Sequence, residues 1–298
     1  MKQVSNSPFI IDNEHEYQKW REQKLAAYPA VAADLIVDID DPRVLSATEK
    51  GLISNLLNRS NMLIYNSKTE GVEDKGIPRV LGQQLGLANL DPNMLADDDG
   101  ITSLSVVPGK LKRGYIPYSN HRLQWHTDGY YNPPDKQIRA FILHCVRQAA
   151  EGGENSVIDP EMIYIQLRDE NPLYIQSLMH SQAMTIPANT ESGEVTRPAQ
   201  TGPVFSLDSS TNSLHMRYTA RTRSIEWRED PVTQQAVECL THLLSSENPY
   251  VFSHILSSGQ GFVSNNVLHS RTAFSDVEGE AGRLLYRARY YESVPNDL

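Results

Sequence analysis

Trp125-His126-Thr127-Asp128 sets an imidazole and a carboxylate two residues apart. On a strand, residues i and i+2 project from one face, so this pair can occupy two adjacent positions on a single metal ion. Taken alone the pattern says little, because 9 His and 37 acidic residues in 298 make about one His-x-Asp/Glu by chance. A second histidine, His269, lies in the short apolar stretch Asn266–Phe274 (NVLHSRTAF), after the turn Gly259-Gln260-Gly261. By itself it also fits a hydrogen-bonded core histidine. The next strand-like run is more telling. In Gly282-Arg283-Leu284-Leu285-Tyr286-Arg287-Ala288-Arg289, Arg283 and Arg287 fall at i and i+4 on one face of a strand, and Arg289 continues that face. Three guanidinium groups so aligned either meet anions or line solvent.

The elements that must position these groups are legible in the periodicity. From about residue 101 the chain breaks into short runs rich in β-branched and aromatic residues, separated by Gly, Pro and Asn. Ser103–Val107, Ala140–Val146, Ser213–Tyr218, Tyr250–Leu256 and Gly282–Tyr291 are examples. Many short strands of this kind predict a sandwich or jelly roll. Two helices are expected among them, opening at Asp159-Pro160 and Asp230-Pro231, each with Asp as N-cap and Pro in the first turn. In the second, Val232, Ala236, Val237, Leu240, Leu243 and Leu244 form a core-facing stripe. Residues 1 to 75 read mainly as helix and loop, with a strand-like patch at Asp34–Ile39. A helix is expected over Ser46–Asn61, its apolar face carrying Leu52, Leu56 and Leu57. Thr185–Ser213 is rich in Ser, Thr, Gly, Pro and Asn with little periodicity. A connection of that length is expected to be a lid or a disordered insertion.

These residues in this order resemble the taurine dioxygenase superfamily of Fe(II)/2-oxoglutarate-dependent oxygenases. The carriers are His126-x-Asp128, the strand and Gly-Gly turn of Phe141–Asn155 (FILHCVRQAAEGGEN), His269 within LHSRTAF, and Arg283 fourteen residues later. The likeness covers about residues 100–292 and is strongest to the γ-butyrobetaine hydroxylase members. It implies a mainly β chain with helices: a double-stranded β-helix (jelly roll) core with N-terminal and inserted helices. A single oxygenase domain over 1–298 is expected, with a helical and mixed layer over 1–100, the jelly roll over 101–298, and a lid at 185–213. It also implies His126, Asp128 and His269 as ligands of Fe(II). Two imidazoles and a carboxylate on one face of an octahedral ion leave open positions for 2-oxoglutarate and O2. The far carboxylate of 2-oxoglutarate needs a bidentate cation, for which Arg283 is the first choice and Arg287 the second. Relatives place a Ser or Thr after the Gly-Gly turn to help hold that carboxylate; this chain has Asn155 and then Ser156, and either can donate a hydrogen bond. Retention of Asp128 favours hydroxylation over halogenation.

For the primary substrate, Tyr118 matches a position of the aromatic cage that holds a trimethylammonium group in γ-butyrobetaine hydroxylase, and Tyr130 and Tyr131 lie just after Asp128. Arg287 points instead to an anionic group. A zwitterion satisfies both.

Composition narrows the field. The formal net charge of −10 argues against nucleic acid as a partner, since phosphate binding needs a surplus of Lys and Arg. No run reaches the roughly 18 to 20 apolar residues of a membrane span, and the N-terminus lacks the apolar stretch of a signal peptide, so a cytoplasmic protein without membrane contact is expected. Cys145 and Cys239, the only cysteines, exclude a disulfide framework and a thiolate zinc cage. The expected partner is a small-molecule substrate; the oligomeric state, a homo-oligomer included, stays open. Two rivals share the fold: a non-catalytic jelly-roll binding protein, which needs neither Arg283 nor a complete triad, and a zinc hydrolase.

Overall fold

A computed structural model describes residues 7–92, 100–106, 118–191, 194–208 and 211–296. Helix and strand contribute about equally among these residues, six α-helices against many short strands. The class is therefore mixed α/β with several sheets, and the expectation of a mainly β chain is corrected. Two compact units are present. Each is assembled from three separated stretches: Met1–Tyr28, Trp125–Gln137 and Ile158–Val251 in one, and Pro29–Gln124, Ile138–Val157 and Phe252–Leu298 in the other.

The second unit holds the sandwich. Its larger sheet runs in the order Ile36–Asp38, Met62–Asn66, Gln260–Ser264, Ala140–Arg147, Leu284–Tyr290, Thr102–Leu104. The smaller runs Phe252–His254, Asn155–Ile158, Leu268–Arg271, Leu123–His126, of which Ile158, Trp125 and His126 belong to the first unit. Alternation divides the large sheet into two faces. Ala140, Ile142, Val146, Val263, Tyr286, Ala288 and Tyr290 pack with Ile53, Leu56, Leu57, Leu81 and Leu85 of the helices Ala47–Ser60 and Gly76–Gln84. The opposite face carries the register partners Leu285 and Cys145, Arg287 and Leu143, and Arg289 and Phe141. That face looks toward the small sheet, where the Phe141 ring lies 4.8 Å from the His269 ring.

The helix Ala47–Ser60 starts where the sequence indicated. Ser46 Oγ accepts from Glu49 N–H at 3.2 Å, Glu49 accepts in return from Ser46 N–H at 2.7 Å, and Asn61 ends the helix in the left-handed region at φ 57°. Its buried face differs from the expected one. Ile53, Leu56, Leu57 and Ser60, at i, i+3, i+4 and i+7, point inward, while Leu52, about 100° round the helix, is half exposed.

The first unit packs the helices Glu14–Ala27, Pro160–Glu170, Pro172–Leu178 and Pro231–Ser245 with short strands. Asp159 and Asp230 cap their helices as expected, and Asp159 also binds the buried Lys24 at 2.6 Å. Phe9, Tyr17, Trp20, Tyr164 and Phe205 make an edge-to-face aromatic cluster. The stretch 185–213, expected to lack regular structure, is instead built of short strands: Asn189–Glu191 pairs with Glu194–Arg197, Gln200–Gly202 with Met184–Ile186, and Phe205–Asp208 with Ser213–Met216. Buried Arg217 fastens them, donating to the carbonyls of Met184 (2.7 Å), Gly202 (3.1 Å), Gln200 (3.2 Å) and Pro203 (3.3 Å). A guanidinium with five fixed donors substitutes for the missing hydrophobic periodicity. Among the described residues no helix is long and apolar enough to cross a membrane.

Candidate active site

His126 closes the strand Leu123–His126, and Asp128 stands two residues later, both buried. Their segment is strapped down by its neighbour: Thr127 N–H donates to Tyr218 O at 3.0 Å, and Ala220 N–H to Trp125 O at 2.7 Å. His126 Nε2 lies 3.9 Å from Asp128 Oδ1. His269 sits on Leu268–Arg271, with Nδ1 3.0 Å from Val267 O. Donation of an Nδ1 proton to that carbonyl leaves Nε2 with its lone pair, the tautomer a metal ligand needs. One ligand atom from each of His126, Asp128 and His269 falls within 4.8 Å of the others. Two imidazole nitrogens and one carboxylate oxygen, largely removed from water, suit an ion such as Fe(II) and leave part of its coordination sphere open.

A small cavity in the sandwich unit is lined by Gln148, Gly152, Gly153, Asn155, Leu256, Arg283 and Leu285. Arg283 precedes its strand, where the register shifts between Leu284 and Leu285, and shares the inward face with Leu285 and Arg287. Its guanidinium stacks 4.9 Å from the Phe274 ring, and its main-chain N–H is held by Asp276 Oδ1 at 3.0 Å. Among the described residues no carboxylate forms an ion pair with this buried guanidinium. Burial lowers its pKa, with Cys145 and Asp276 acting the other way. Burial also pushes the Cys145 thiol up to about 11, so it stands near Arg283 as a neutral group.

The Gly-Gly turn has a steric reason. Gly152 pairs with Phe274 and has φ +74°; a Cβ there would stand 2.3 Å from the Ala273 carbonyl oxygen. Gly153, also at φ +74°, leaves room beside Arg283 Nε. Of the two candidates after the turn, Asn155 lines the cavity, whereas Ser156 turns outward to share a 2.9 Å hydrogen bond with Ser253. Arg289 does not belong to the anion-facing set: its guanidinium is paired with Asp91. Arg287 is buried on the inward face.

Tyr118 is buried in the sandwich unit. Tyr130 stands edge-on to His126 at 6.5 Å and to Tyr131 at 5.2 Å. Burial raises the Tyr130 phenol above its ordinary value, and the Arg221 charge together with hydrogen bonds from Thr219 and Arg221 acts against it. The Arg197 guanidinium lies 5.8 Å from the Tyr131 ring. Sequence reasoning missed Arg197, Arg221 and Thr219, which no local spacing ties to His126. It also gave no role to Phe141 and Phe274, although both lie inside the motifs it singled out.

Residues 23–289 match the profile of the taurine catabolism dioxygenase TauD, TfdA family. Human γ-butyrobetaine dioxygenase is 30% identical over 74 residues, 24% of this chain and 18% of that protein. The uridine-5'-phosphate dioxygenase of an Amycolatopsis species is 30% identical over 95 residues, 32% of this chain and 33% of the relative. The alignments thus span at most a third of these relatives' length. Among solved structures, asparagine oxygenase in complex with Fe(II), 3-hydroxyasparagine and succinate superposes with a TM-score of 0.56 at 15% identity, over 86% of this chain and 93% of that one. That likeness shows a common double-stranded β-helix fold. With the family profile covering nearly the whole chain and a His-Asp-His cluster in the expected place, the protein belongs to the TauD/TfdA family of dioxygenases that use Fe(II) and 2-oxoglutarate.

Proposed function

We propose that the chain hydroxylates an unactivated C–H bond of a small, charged or zwitterionic metabolite, with release of succinate and CO2 from 2-oxoglutarate. The observation that carries this reading is the buried cluster of His126, Asp128 and His269. Each would contribute one ligand, and the Val267 carbonyl would hold the His269 ring in the ligating tautomer. When bound, iron supplies activation of O2 coupled to decarboxylation of 2-oxoglutarate. Arg283 receives the far carboxylate of the co-substrate in the cavity, with Asn155 as a further donor; Phe274 and the glycine turn hold the guanidinium there. Arg287 serves the same carboxylate or an anionic group of the substrate.

Tyr118, Tyr130 and Tyr131 are read as substrate contacts. The family match runs through both compact units, which supports reading 1–298 as one oxygenase domain. The stretch 185–213 reaches Tyr131 through Arg197, which supports a covering role for it. The named relatives act on, or hold, metabolites with a carboxylate or phosphate. The test is O2-dependent succinate formation from 2-oxoglutarate with iron or zinc added. Turnover with iron alone supports the proposal; turnover-free binding, or hydrolysis sustained by zinc, refutes it.

A further inference from the structure

The strand Leu268–Arg271 presents His269 and Arg271 at i and i+2, hence on one face. Arg271 is buried. Its Nη2 donates to the carbonyls of Ser119 (2.9 Å) and His121 (2.7 Å), while its Nε has no hydrogen-bond partner among the described residues. Carbonyls solvate a guanidinium without cancelling its charge, and among the described residues no carboxylate pairs with it. The missing acid alone says little, since the buried Arg217 shares it. What sets Arg271 apart is its neighbour. Its guanidinium carbon lies 4.7 Å from the centroid of the Phe274 ring, and that of Arg283 lies 4.9 Å from the same centroid. Less than about 10 Å therefore separates the two charges. Phe274 is itself fixed, with its N–H on Asn120 O at 3.1 Å and Gly152 as its strand partner. Two buried positive charges held this close repel each other, and a dianion is the ligand that relieves both.

Resting on the reading of Arg283 as the arginine that receives 2-oxoglutarate, we propose that Arg271 is a second cation of that site. It binds the co-substrate through its field rather than by contact. Arg271 is not among the residues that line the cavity with Arg283, so the attraction acts across the Phe274 ring and the low-dielectric interior of the sandwich. The co-substrate carries a negative charge at each end. One cation stands at the far carboxylate, and the other on the strand that bears His269. At about 10 Å and an effective dielectric of about 20, one unit charge changes the affinity for a single carboxylate by about tenfold. Charge, and not the fork of the guanidinium, is the property this role requires. The two hydrogen bonds to the Ser119 and His121 carbonyls are the structural part of the side chain, and a neutral amide donor can replace them in kind.

Anaerobic calorimetric titration of the Fe(II)-loaded protein with 2-oxoglutarate tests the proposal, with KM and kcat for succinate formation measured beside it. Arg271→Gln keeps an N–H donor for the carbonyls and loses the charge. It is expected to weaken 2-oxoglutarate by about tenfold, the loss falling on KM rather than kcat. Arg271→Lys keeps the charge and loses the fork, and is expected to bind 2-oxoglutarate within about threefold of wild type. Iron content after gel filtration is expected to match wild type in both. Affinity in Arg271→Gln within about twofold of wild type, an equal loss in Arg271→Lys, or a fall in bound iron in Arg271→Gln would overturn the proposal. Should circular dichroism show that Arg271→Gln does not fold, Arg271→Lys decides: retained affinity supports the charge role and a loss of about tenfold overturns it. Wild-type protein that does not bind 2-oxoglutarate would bring down the reading of Arg283 together with this one, whereas wild-type binding that Arg271→Gln leaves unchanged overturns this proposal alone.

Discussion

Removing Arg283 separates a functional arginine from a structural one. Its guanidinium is buried beside Phe274 and forms no ion pair among the described residues, so Arg283→Ala leaves no orphaned carboxylate behind. The expected loss of folding stability is limited to the stacking contact, about 1 kcal/mol. Arg289→Ala, which strands the buried Asp91, is expected to cost about 3 to 5 kcal/mol. The order reverses for the co-substrate. A desolvated carboxylate that loses its charge-assisted bidentate partner loses about 2 to 5 kcal/mol, a rise in the KM for 2-oxoglutarate of about 30-fold to a few thousand-fold. Arg283→Lys keeps the charge without the fork and should fall between. The assays are urea unfolding of the three variants and succinate formation as a function of 2-oxoglutarate concentration. A KM within threefold of wild type for Arg283→Ala, or a larger effect from Arg287→Ala, would refute the assignment; a stability loss matching that of Arg289→Ala would show that Arg283 has a structural partner.

His126→Ala, Asp128→Ala and His269→Ala are each expected to abolish iron-dependent turnover and to lower bound iron, measured by metal analysis after gel filtration, with the circular dichroism spectrum retained. Gly152→Ala should cost about 2 to 4 kcal/mol, because its Cβ would meet the Ala273 carbonyl at 2.3 Å in a positive-φ backbone. Gly153→Ala has room for the Cβ and should cost only about 1 to 2 kcal/mol; equal losses in urea unfolding would contradict the steric account. His144 is buried with Nδ1 2.8 Å from the Tyr65 hydroxyl, and desolvation, joined by the charge of Arg43 and opposed by that of Asp74, depresses its pKa to about 4. The unfolded chain takes up a proton on this ring near pH 6.5 and the folded chain only near pH 4. The contribution is therefore whole above pH 6.5 and lost as pH falls toward 4, by about 3 kcal/mol. Urea unfolding between pH 7 and 4 should show this slope in wild type and a shallower one in His144→Gln.

Much of this protein is determined locally and can be read without coordinates. The i, i+2 spacing of His126 and Asp128 is a property of a strand, the Asp-Pro pairs at 159–160 and 230–231 start helices through their own side chains, and the alternation of Arg283, Arg287 and Arg289 against Tyr286 and Ala288 assigns them a face. The glycines of the 152–153 turn likewise mark a backbone that only they adopt without strain. Tertiary structure decided what depends on residues distant in sequence. It placed Leu52 outside and Ile53 inside, since a helix of middling amphipathicity takes its buried face from the sheet it packs on. It gave 185–213 short strands, because Arg217 gathers carbonyls that no periodicity announces. It sent Arg289 to Asp91, some 200 residues away in the chain, and left Arg283 without an ion pair among the described residues. Charge pairing acts through space and leaves no period in the sequence, so which cation is neutralised and which is kept for a ligand is settled only when the chain has folded.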